Sequence, residues 1–247
     1  MASSIELREV RVDAPGGEPI LRDVALRIPA GQSVAFIGRS GAGKTTSLRL
    51  INGLVAPTRG EVLVDDKPLR ETDLIALRRR TGYIIQGSGL FPHRTVFENI
   101  ATIPRLLGWD AARTREAAAE VMNRVGMPFE KFAERRPRSL SGGEQQRVGI
   151  ARAMVASPSI LLCDEPFGAL DPIVRRELQD AFRALGSDAT IVFVTHDLAE
   201  ALRVAERVVL FDGGRVVVDA PSRDFVQQKS PLVRQFVASA TLPAGWQ

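Results

Sequence analysis

The pattern of hydrophobic and polar residues changes along the chain between alternating stretches and nearly continuous apolar runs. Residues 5–12 and 20–28 alternate, which predicts strands that are buried on one face. Residues 33–37, 159–164 and 190–195 are almost entirely apolar, as expected of parallel strands covered on both faces of a sheet. The sequence therefore predicts an α/β fold whose parallel core follows a pair of antiparallel strands.

Helices and further strands are predicted in the stretches between these strands. Three successive alanines at 117–119 favour a helix by propensity, and Ser141 before two glycines is a typical helix start. Residues 212–214, Asp-Gly-Gly, predict a hairpin turn. The predicted helices span 46–51, 72–80, 96–107, 111–125, 142–154, 175–185, 198–206 and part of 221–237, and the further strands span 61–64, 81–86, 207–211 and 215–218.

The predicted organisation is a single domain over residues 1–247. We expect residues 1–86 and 151–247 to form the α/β core with an antiparallel β subdomain, and residues 87–150 to form a helical insert. Leu90, Phe91, Phe97 and Trp109 are expected in the core of that insert, and residues 238–247 are expected to be frayed. A hydrophobic content of 45% and a charged content of 25% are typical of a globular protein.

Charge and cysteine content narrow the class of protein. The net charge is +4 without a long block of basic residues, so no nucleic-acid partner is expected. Cys163 lies in an apolar run and is expected in the core, and a single cysteine excludes an internal disulfide and fits a reducing cytosol. The chain has no run of about 18 apolar residues that would predict a membrane span, and its first residues lack the apolar region of a signal peptide.

The strongest chemical motif is the segment GRSGAGKT at residues 38–45. It follows a predicted strand and precedes a predicted helix, which is the arrangement of a phosphate-binding P-loop. Gly38, Gly41 and Gly43 allow the backbone to wrap its N–H groups around an anion, and the helix start adds the positive end of its dipole. In this pattern Lys44 reaches the β- and γ-phosphates and the Thr45 hydroxyl binds Mg²⁺. The alternative for the bare pattern is a glycine-rich turn with an exposed lysine.

Polar residues stand at the ends of three other predicted strands. Asp164 and Glu165 end one apolar run, His196 follows another, and Gln86 ends the strand before the helical insert. Ligands of parallel sheets gather at the carboxyl ends of the strands. Asp164 suits Mg²⁺, Glu165 suits an attacking water, and His196 suits a γ-phosphate contact. Taken alone, Gln86 fits a solvated loop residue better.

A second loop-to-helix junction occurs in the segment LSGGEQQR at residues 140–147. Its N–H groups form a second potential phosphate site, although a plain capped helix explains the segment if it stands alone. Together these motifs resemble those of the ATP-binding subunits of ABC transporters over nearly the whole chain. In the order of that family, residues 38–45 match the Walker A motif, Gln86 the Q-loop, 140–147 the signature, 160–165 the Walker B motif, 168–171 the D-loop and His196 the switch histidine.

The resemblance implies the P-loop ATPase fold of this family, ATP hydrolysis, and ATP and Mg²⁺ as cofactors. Two copies, or this chain and a paralogous subunit, would hold two ATP molecules head to tail. The nucleotide would contact Gly38, Arg39, Ser40, Gly41, Ala42, Gly43, Lys44, Thr45 and Thr46 of one copy, and Ser141, Gly142, Gly143 and Asp171 would act across the dimer. Glu165, His196, Gln86 and Lys44 would be catalytic, and Thr45, Gln86 and Asp164 would hold the metal.

The resemblance also implies membrane partners. Residues 87–109, GSGLFPHRTVFENIATIPRLLGW, are similar to the corresponding segment of importers of quaternary-amine osmoprotectants such as glycine betaine, choline and carnitine. Permease subunits are expected to contact Gln86 to Asn99 at the cytoplasmic face of the inner or plasma membrane, with a substrate-binding protein involved indirectly. The alternatives are another importer, an exporter or lipid-transport ATPase, and a soluble ABC ATPase. The last usually needs fused cores, zinc-binding cysteines or a long coiled coil, and none of these occurs in the sequence.

One position departs from the family pattern. Members usually carry an aromatic residue near Ala14 that stacks on adenine, whereas no aromatic residue or histidine precedes Phe36 in this sequence. We therefore expect adenine to be held weakly and purine selectivity to be loose.

Overall fold

Ten strands form two sheets within residues 1–168, 170–184 and 188–240, the part of the chain that this computed structural model describes. The strands are β1 (Ile5–Asp13), β2 (Pro19–Ile28), β3 (Ser33–Gly38), β4 (Arg59–Val64), β5 (Lys67–Pro68), β6 (Thr81–Ile84), β7 (Ile160–Asp164), β8 (Thr190–Val194), β9 (Arg207–Asp212) and β10 (Arg215–Pro221). The helices are α1 (Lys44–Ile51), α2 (Leu74–Arg79), α3 (Val96–Ile100), α4 (Thr102–Leu106), α5 (Ala111–Arg124), α6 (Phe129–Phe132), α7 (Gly142–Met154), α8 (Pro172–Ala184), α9 (Leu198–Val204), α10 (Ser222–Phe225) and α11 (Pro231–Ser239), with 3₁₀ turns at Leu69–Glu71 and Pro137–Ser139. None of the helices in this part of the chain is both long and apolar enough to cross a membrane.

The larger sheet has six strands in the order β10-β9-β3-β8-β7-β6. Strands β6, β7, β8, β3 and β9 run parallel, and β10 pairs antiparallel with β9 across the predicted hairpin. The carboxyl ends of β3, β8, β7 and β6 therefore meet at one edge of the sheet. This arrangement confirms the predicted parallel core.

The two faces of the larger sheet pack into two different hydrophobic clusters. Successive side chains of a strand point to opposite faces, so Leu161 and Cys163 pack with the helices, while Ile160 and Leu162 pack toward the antiparallel sheet. All five residues of β7 and all five of β8 are buried. Burial on both faces explains the continuous apolar runs, and Cys163 lies in the core as predicted.

The smaller sheet is antiparallel and has the strand order β2-β1-β4-β5. Its buried side chains, among them Leu7, Leu26 and Val62, share a cluster with Phe36 of β3 and Leu48 of α1. The predicted antiparallel β subdomain is thereby confirmed. It covers the face of the large sheet from which α1 starts, and this packing fixes the strand and the helix on both sides of the glycine-rich loop.

Helices α3 to α7 separate β6 from β7 in the chain. The prediction of one helix over residues 96–107 was wrong, because the chain forms α3 and α4 with Ala101 between them. Pro104 has no N–H to donate to the carbonyl of Ile100, and its ring crowds that carbonyl. The predicted limits of the insert, residues 87 and 150, stay a prediction.

Other differences from the predicted elements have local causes. The strand predicted over 81–86 ends at Ile84, because the chain turns through left-handed backbone at Gly87, Ser88 and Gly89. Phe91, expected in the core, is 39% exposed. The helix expected to start at residue 175 begins at Pro172, which suits a first helical turn because its missing N–H needs no acceptor there.

The tail forms two helices, α10 and α11, where one was expected within residues 221–237. Parts of three predictions lie outside the described residues: position 169 of the D-loop match, the last residue of the helix predicted over 175–185, and residues 241–247 of the tail expected to be frayed.

Candidate functional site

A cleft of about 410 Å³ opens at the carboxyl edge of the parallel sheet. It brings together residues that follow β3, β6, β7 and β8, four neighbouring strands that are far apart in the sequence. The described residues that line it are Ile20, Gly38, Ser40, Gly41, Ala42, Gly43, Lys44, Thr45, Thr46, Gln86, Asp164, Glu165, Val194 and His196. A wider depression of about 920 Å³ on the antiparallel sheet is lined by arginines and carboxylates that mostly pair with one another, so we place the site in the smaller cleft.

Two glycines fix the path of the loop from β3 into α1. Gly38 has a φ angle of 146° and Gly43 one of 97°, both in a region that residues with a side chain rarely adopt. A Cβ atom on Gly38 would lie 2.3 Å from the carbonyl oxygen of Phe211, and one on Gly43 would lie 2.3 Å from Cδ2 of Leu21. Glycine is therefore required at both positions by conformation and by space.

The first turn of α1 faces the cleft without a cap of its own. Gly43 is the residue before the helix, and among the described residues no side chain caps this terminus. The first N–H groups of a helix have no acceptor inside the helix, and here those of Lys44, Thr45 and Thr46 belong to residues that line the cleft. Such a terminus suits an anion.

The Lys44 ammonium group lies across the loop that precedes it. Its Nζ donates to the carbonyl oxygens of Gly38 at 2.8 Å and Arg39 at 2.9 Å. Burial lowers the pKa of Lys44, although the nearby carboxylates of Glu165 and Asp164 oppose that shift. The ammonium group is thus held beside the uncapped helix terminus, where it adds a positive charge to the cleft.

Thr45 and Asp164 form an oxygen-rich pair on the floor of the cleft. The Thr45 hydroxyl donates to Oδ1 of Asp164 at 3.1 Å. Burial raises the pKa of Asp164, and the hydrogen bond from Thr45 opposes that shift. Hydroxyl and carboxylate oxygens are ligands that Mg²⁺ accepts, so the chemistry of this pair fits the predicted metal site.

The Glu165 carboxylate lies between two other predicted site residues. Gln86 Nε2 donates to Oε2 of Glu165 at 3.2 Å, and Nδ1 of His196 lies 3.4 Å from Oε1. Glu165 itself has a φ angle of 50°, a left-handed conformation that is unusual for a residue with a side chain. It precedes Pro166, which disfavours the right-handed helical region at this position. With this backbone turn, the carboxylate contacts side chains that follow β6 and β8.

The signature segment does not line the cleft. Ser141 starts α7 with a capping box: its Oγ accepts from the Glu144 N–H at 3.2 Å, and its own N–H donates to Oε2 of Glu144 at 2.7 Å. Ser141 and Gly142 are exposed, and Gly143 is half-buried. The structure therefore presents these three residues on the surface of the same chain.

Two other predicted contact residues are also outside the cleft lining. Asp171 is exposed and caps α8 by accepting from the N–H groups of Ile173 and Val174, each at 3.1 Å. The Arg39 guanidinium donates to Oε1 of Gln235 on α11 at 3.0 Å.

Ile20 also lines the cleft beside the P-loop. The sequence does not predict this role, because a lone aliphatic residue in a strand belongs to no functional motif. The described lining residues include no Phe, Tyr or Trp. The expected weak hold on adenine stays a prediction.

Comparison with known proteins gives the family. Residues 21–168 match the family described as ABC transporter. The chain belongs to the ABC transporter family. Among solved structures, the dimeric ATP-binding cassette MJ0796 in a post-hydrolysis state bound to ADP and Pi matches this ABC family chain with a TM-score of 0.82 and 33% identity over 89% of this chain and 99% of that one. The match confirms the predicted ABC ATPase fold.

Curated relatives of this ABC family chain include proteins named as ATP-binding proteins of carnitine transport and of methionine import. The carnitine transport ATP-binding protein OpuCA of Listeria monocytogenes is 43% identical over 230 residues, which are 92% of this chain. The methionine import ATP-binding protein MetN of Caulobacter vibrioides is 42% identical over 233 residues, 92% of this chain and 70% of that protein. The chain spans 58% of the length of the carnitine relative.

Proposed function

We propose that this chain is the ATP-hydrolysing subunit of a membrane ABC importer. The observation that carries the proposal is the position of the Glu165 carboxylate, which lies between Gln86 and His196 in the cleft of the P-loop. A carboxylate beside a phosphate-binding loop suits the orientation and deprotonation of an attacking water. Membership of the ABC transporter family supports the same activity.

The reaction is divided among the residues of the cleft. The backbone N–H groups at the start of α1 and the Lys44 ammonium group bind the β- and γ-phosphates, and Thr46 contacts the α-phosphate. Glu165 orients the water and accepts its proton, and His196 and Gln86 hold the γ-phosphate and keep the Glu165 carboxylate in place. The Lys44 ammonium group exchanges its two carbonyl acceptors for phosphate oxygens when the nucleotide enters.

Thr45, Asp164 and Gln86 are the residues that would hold a magnesium ion. Thr45 and Asp164 are already in contact, and Gln86 lines the same cleft. When bound, Mg²⁺ supplies positive charge that neutralises the phosphate oxygens. Burial raises the pKa of Asp164, and a positive charge beside it would favour its ionised form.

The exposed signature segment supports a dimer in which each copy completes the site of the other. Ser141, Gly142 and Gly143 lie on the surface and outside the cleft of their own chain, so they are free to approach the γ-phosphate bound by a second copy or a paralogous subunit. Asp171, exposed at the start of α8, would act across the same interface. ATP binding would close this pair and hydrolysis would release it.

A groove next to the Q-loop supports a permease contact near Gln86 to Asn99. The groove measures about 330 Å³. Its described lining residues include Arg78, Arg79, Phe91 and Arg152 and no carboxylate. Such a groove suits a partner segment with an apolar face and an acidic residue. Asn99 itself is fully buried and fixes the 91–95 turn by accepting from the Phe91 N–H at 2.7 Å. Within residues 86–99, the residues that touch the permease would therefore be those before Asn99.

A quaternary-amine osmoprotectant is the solute that we propose. The carnitine relative is 43% identical and the methionine relative 42% identical, so identity alone does not decide between these solutes. The proposal is supported by the similarity of residues 87–109 to the segment of osmoprotectant importers. On this account the subunit works at the cytoplasmic face of the inner or plasma membrane, together with permease subunits and, indirectly, a substrate-binding protein.

The experiment replaces the proposed base, Glu165→Gln. We expect the variant to bind ATP like the wild type. Its turnover should fall at least about a hundredfold, because the amide cannot accept the proton. Nucleotide binding and phosphate release are measured with the purified protein. Uptake of labelled glycine betaine, choline and carnitine at raised salt is measured in cells that lack the native gene and carry either form of the protein.

Glu177→Gln provides the matched control, since Glu177 is an exposed glutamate on α8. It should hydrolyse ATP and restore uptake like the wild type. Turnover of Glu165→Gln within a few-fold of the wild type would contradict the assigned role. Unchanged uptake of all three solutes in cells without the gene would contradict the proposed osmoprotectant solute and leave the ATPase proposal standing.

A further inference from the structure

A buried carboxylate outside the cleft connects two segments that the proposed mechanism uses. Glu200 of α9 is only 7% exposed, and buried carboxylates need hydrogen-bond partners. Its Oε2 accepts from the Thr195 hydroxyl at 2.5 Å, and its Oε1 accepts from Nε2 of Gln179 at 3.3 Å. Thr195 and Gln179 are also buried. We call this chain of three side chains the Glu200 bridge.

One end of the Glu200 bridge fixes the turn that carries His196. Thr195 comes directly before His196, and its N–H donates to the carbonyl oxygen of Phe36 at 3.1 Å. Its hydroxyl oxygen accepts from the Asp197 N–H at 3.0 Å while its proton is donated to Glu200. The residues on both sides of His196 are thus held by one hydroxyl group, whereas the His196 side chain is 72% exposed.

The other end of the bridge reaches helix α8. Gln179 lies on the face of α8 that also carries Arg175, because residues four apart are neighbours on a helix. Nη2 of Arg175 donates to the carbonyl oxygen of Leu170 at 3.2 Å, next to Asp171, which caps the same helix. The bridge therefore joins the His196 turn to α8, the helix that Asp171 caps.

Burial places the Glu200 carboxylate in a poor environment for charge. Burial raises the pKa of Glu200, the hydrogen bond from Thr195 and the charge of Arg175 oppose that shift, and Asp197 adds to it. A carboxylate that is costly to bury and still lies in the core needs a role that an apolar residue would not fill.

We propose that Glu200 is a positioning residue, which holds the His196 turn through Thr195 and ties it to α8 through Gln179. The inference rests on the proposed roles of His196 and Asp171. None of the three bridge residues is among the lining of the cleft. Loss of the bridge should therefore misplace His196 against Glu165, 3.4 Å away, although none of the substituted side chains lines the cleft itself.

The test measures kcat, the KM for ATP and nucleotide affinity in four variants. Glu200→Ala and Thr195→Val each remove one side of the same hydrogen bond, and we expect kcat to fall about tenfold or more while KM changes less than about threefold. The double variant should be no slower than either single variant, because both remove one unit. Glu200→Gln should recover most of the lost kcat, since its amide oxygen still accepts from Thr195 and Gln179 can present its own oxygen to the new NH₂ group.

Asp180→Asn is the matched control. Asp180 accepts from Nη2 of Arg203 at 2.7 Å, which is a second polar link between α8 and α9 that does not touch the His196 turn. Its kinetics should equal those of the wild type. The inference is overturned if Asp180→Asn is as slow as Glu200→Ala, if a folded Glu200→Ala retains wild-type kcat, or if Glu200→Gln is as slow as Glu200→Ala. Should Glu200→Ala fail to fold, Thr195→Val and Glu200→Gln decide the question.

The failure of this inference differs from a failure of the proposed function. A wild-type chain without ATPase activity, or a fully active Glu165→Gln, would contradict the proposed function before any bridge variant is compared. An active wild type and an inactive Glu165→Gln leave that function standing, and the bridge variants then test Glu200 alone.

Discussion

Two helix N-termini of this chain look alike in the sequence and differ in the structure. Helix α1 starts after Gly43 without a side-chain cap and lies in the cleft with the Lys44 ammonium group. Helix α7 starts after Ser141, and Ser141 and Glu144 satisfy each other's N–H groups in a capping box. Both were expected to bind phosphate, but only the start of α1 faces the carboxylates and the histidine of its own chain.

The difference separates two kinds of phosphate site. A terminus without a cap leaves N–H groups that need an anion or water, so α1 is ready for a phosphate in the isolated chain. A terminus with its own cap is stable without a ligand. The start of α7 therefore contacts a phosphate only when another molecule presents one to it. We infer that α1 binds the nucleotide first and that α7 closes the site from a second subunit.

The largest effect is expected when the glycine at the start of α1 is replaced by alanine. Gly43→Ala adds a Cβ atom that would lie 2.3 Å from Leu21 Cδ2, at a φ angle of 97°. We expect it to lose roughly 2–4 kcal/mol of unfolding free energy from strain and overpacking and to bind ATP poorly. Denaturant unfolding and nucleotide titration measure both effects.

Gly142→Ala is the matched variant at the start of α7. A Cβ atom there meets nothing within 4 Å, and alanine favours helix over glycine. The unfolding free energy should stay within about 1 kcal/mol of the wild type or rise, and the affinity of the monomer for ATP should not change. Equal damage from the two substitutions would contradict the distinction between the two termini.

A smaller effect is expected from the charge of the α7 cap. The backbone N–H of Ser141 is the main cause that lowers the pKa of Glu144. A lowered carboxyl pKa stabilises the fold above the ordinary value of 4.5, and this contribution is lost as the pH falls through the lowered value. Glu144→Gln keeps an oxygen for the Ser141 N–H but has no charge, so its unfolding midpoint should fall less than that of the wild type on acidification.

The second capping box provides the comparison for that experiment. Thr95 and Glu98 form the same box at α3, and the backbone N–H of Thr95 lowers the pKa of Glu98. Glu98→Gln should change the acid dependence in the same direction. A stability difference between wild type and Glu144→Gln that stays constant from neutral pH to below 4.5 would refute the assigned contribution.

Much of the site could be predicted because short stretches of sequence specify each of its parts. The apolar runs end at Asp164 and His196, and the carboxyl ends of parallel strands share an edge. Ser141 followed by Glu144 specifies the capping box within four residues. The strand order could not be predicted in this way, since no local signal places β7 between β6 and β8, and this order decides that Gln86 and His196 meet Glu165.

Other features depend on packing that the residue pattern does not show. Glu200 looks like a solvated helix residue in the sequence, and its burial follows from the packing of α9 on α8. Phe91 was expected in the core and remains on the surface. The break before Pro104, by contrast, had a visible signal, because a proline inside a helical stretch ends or kinks the helix.

The central claim is that α7 supplies the γ-phosphate site of a second copy. The direct measurement is the molecular mass in solution, with and without ATP, of two proteins. One is Glu165→Gln, in which hydrolysis cannot release the dimer, and the other is the double variant that also carries Ser141→Ala. Both proteins should bind MgATP equally as monomers. The account predicts that Glu165→Gln becomes a dimer in light scattering when ATP is added and that the Ser141→Ala form stays a monomer. Equal dimerisation of the two proteins would contradict it.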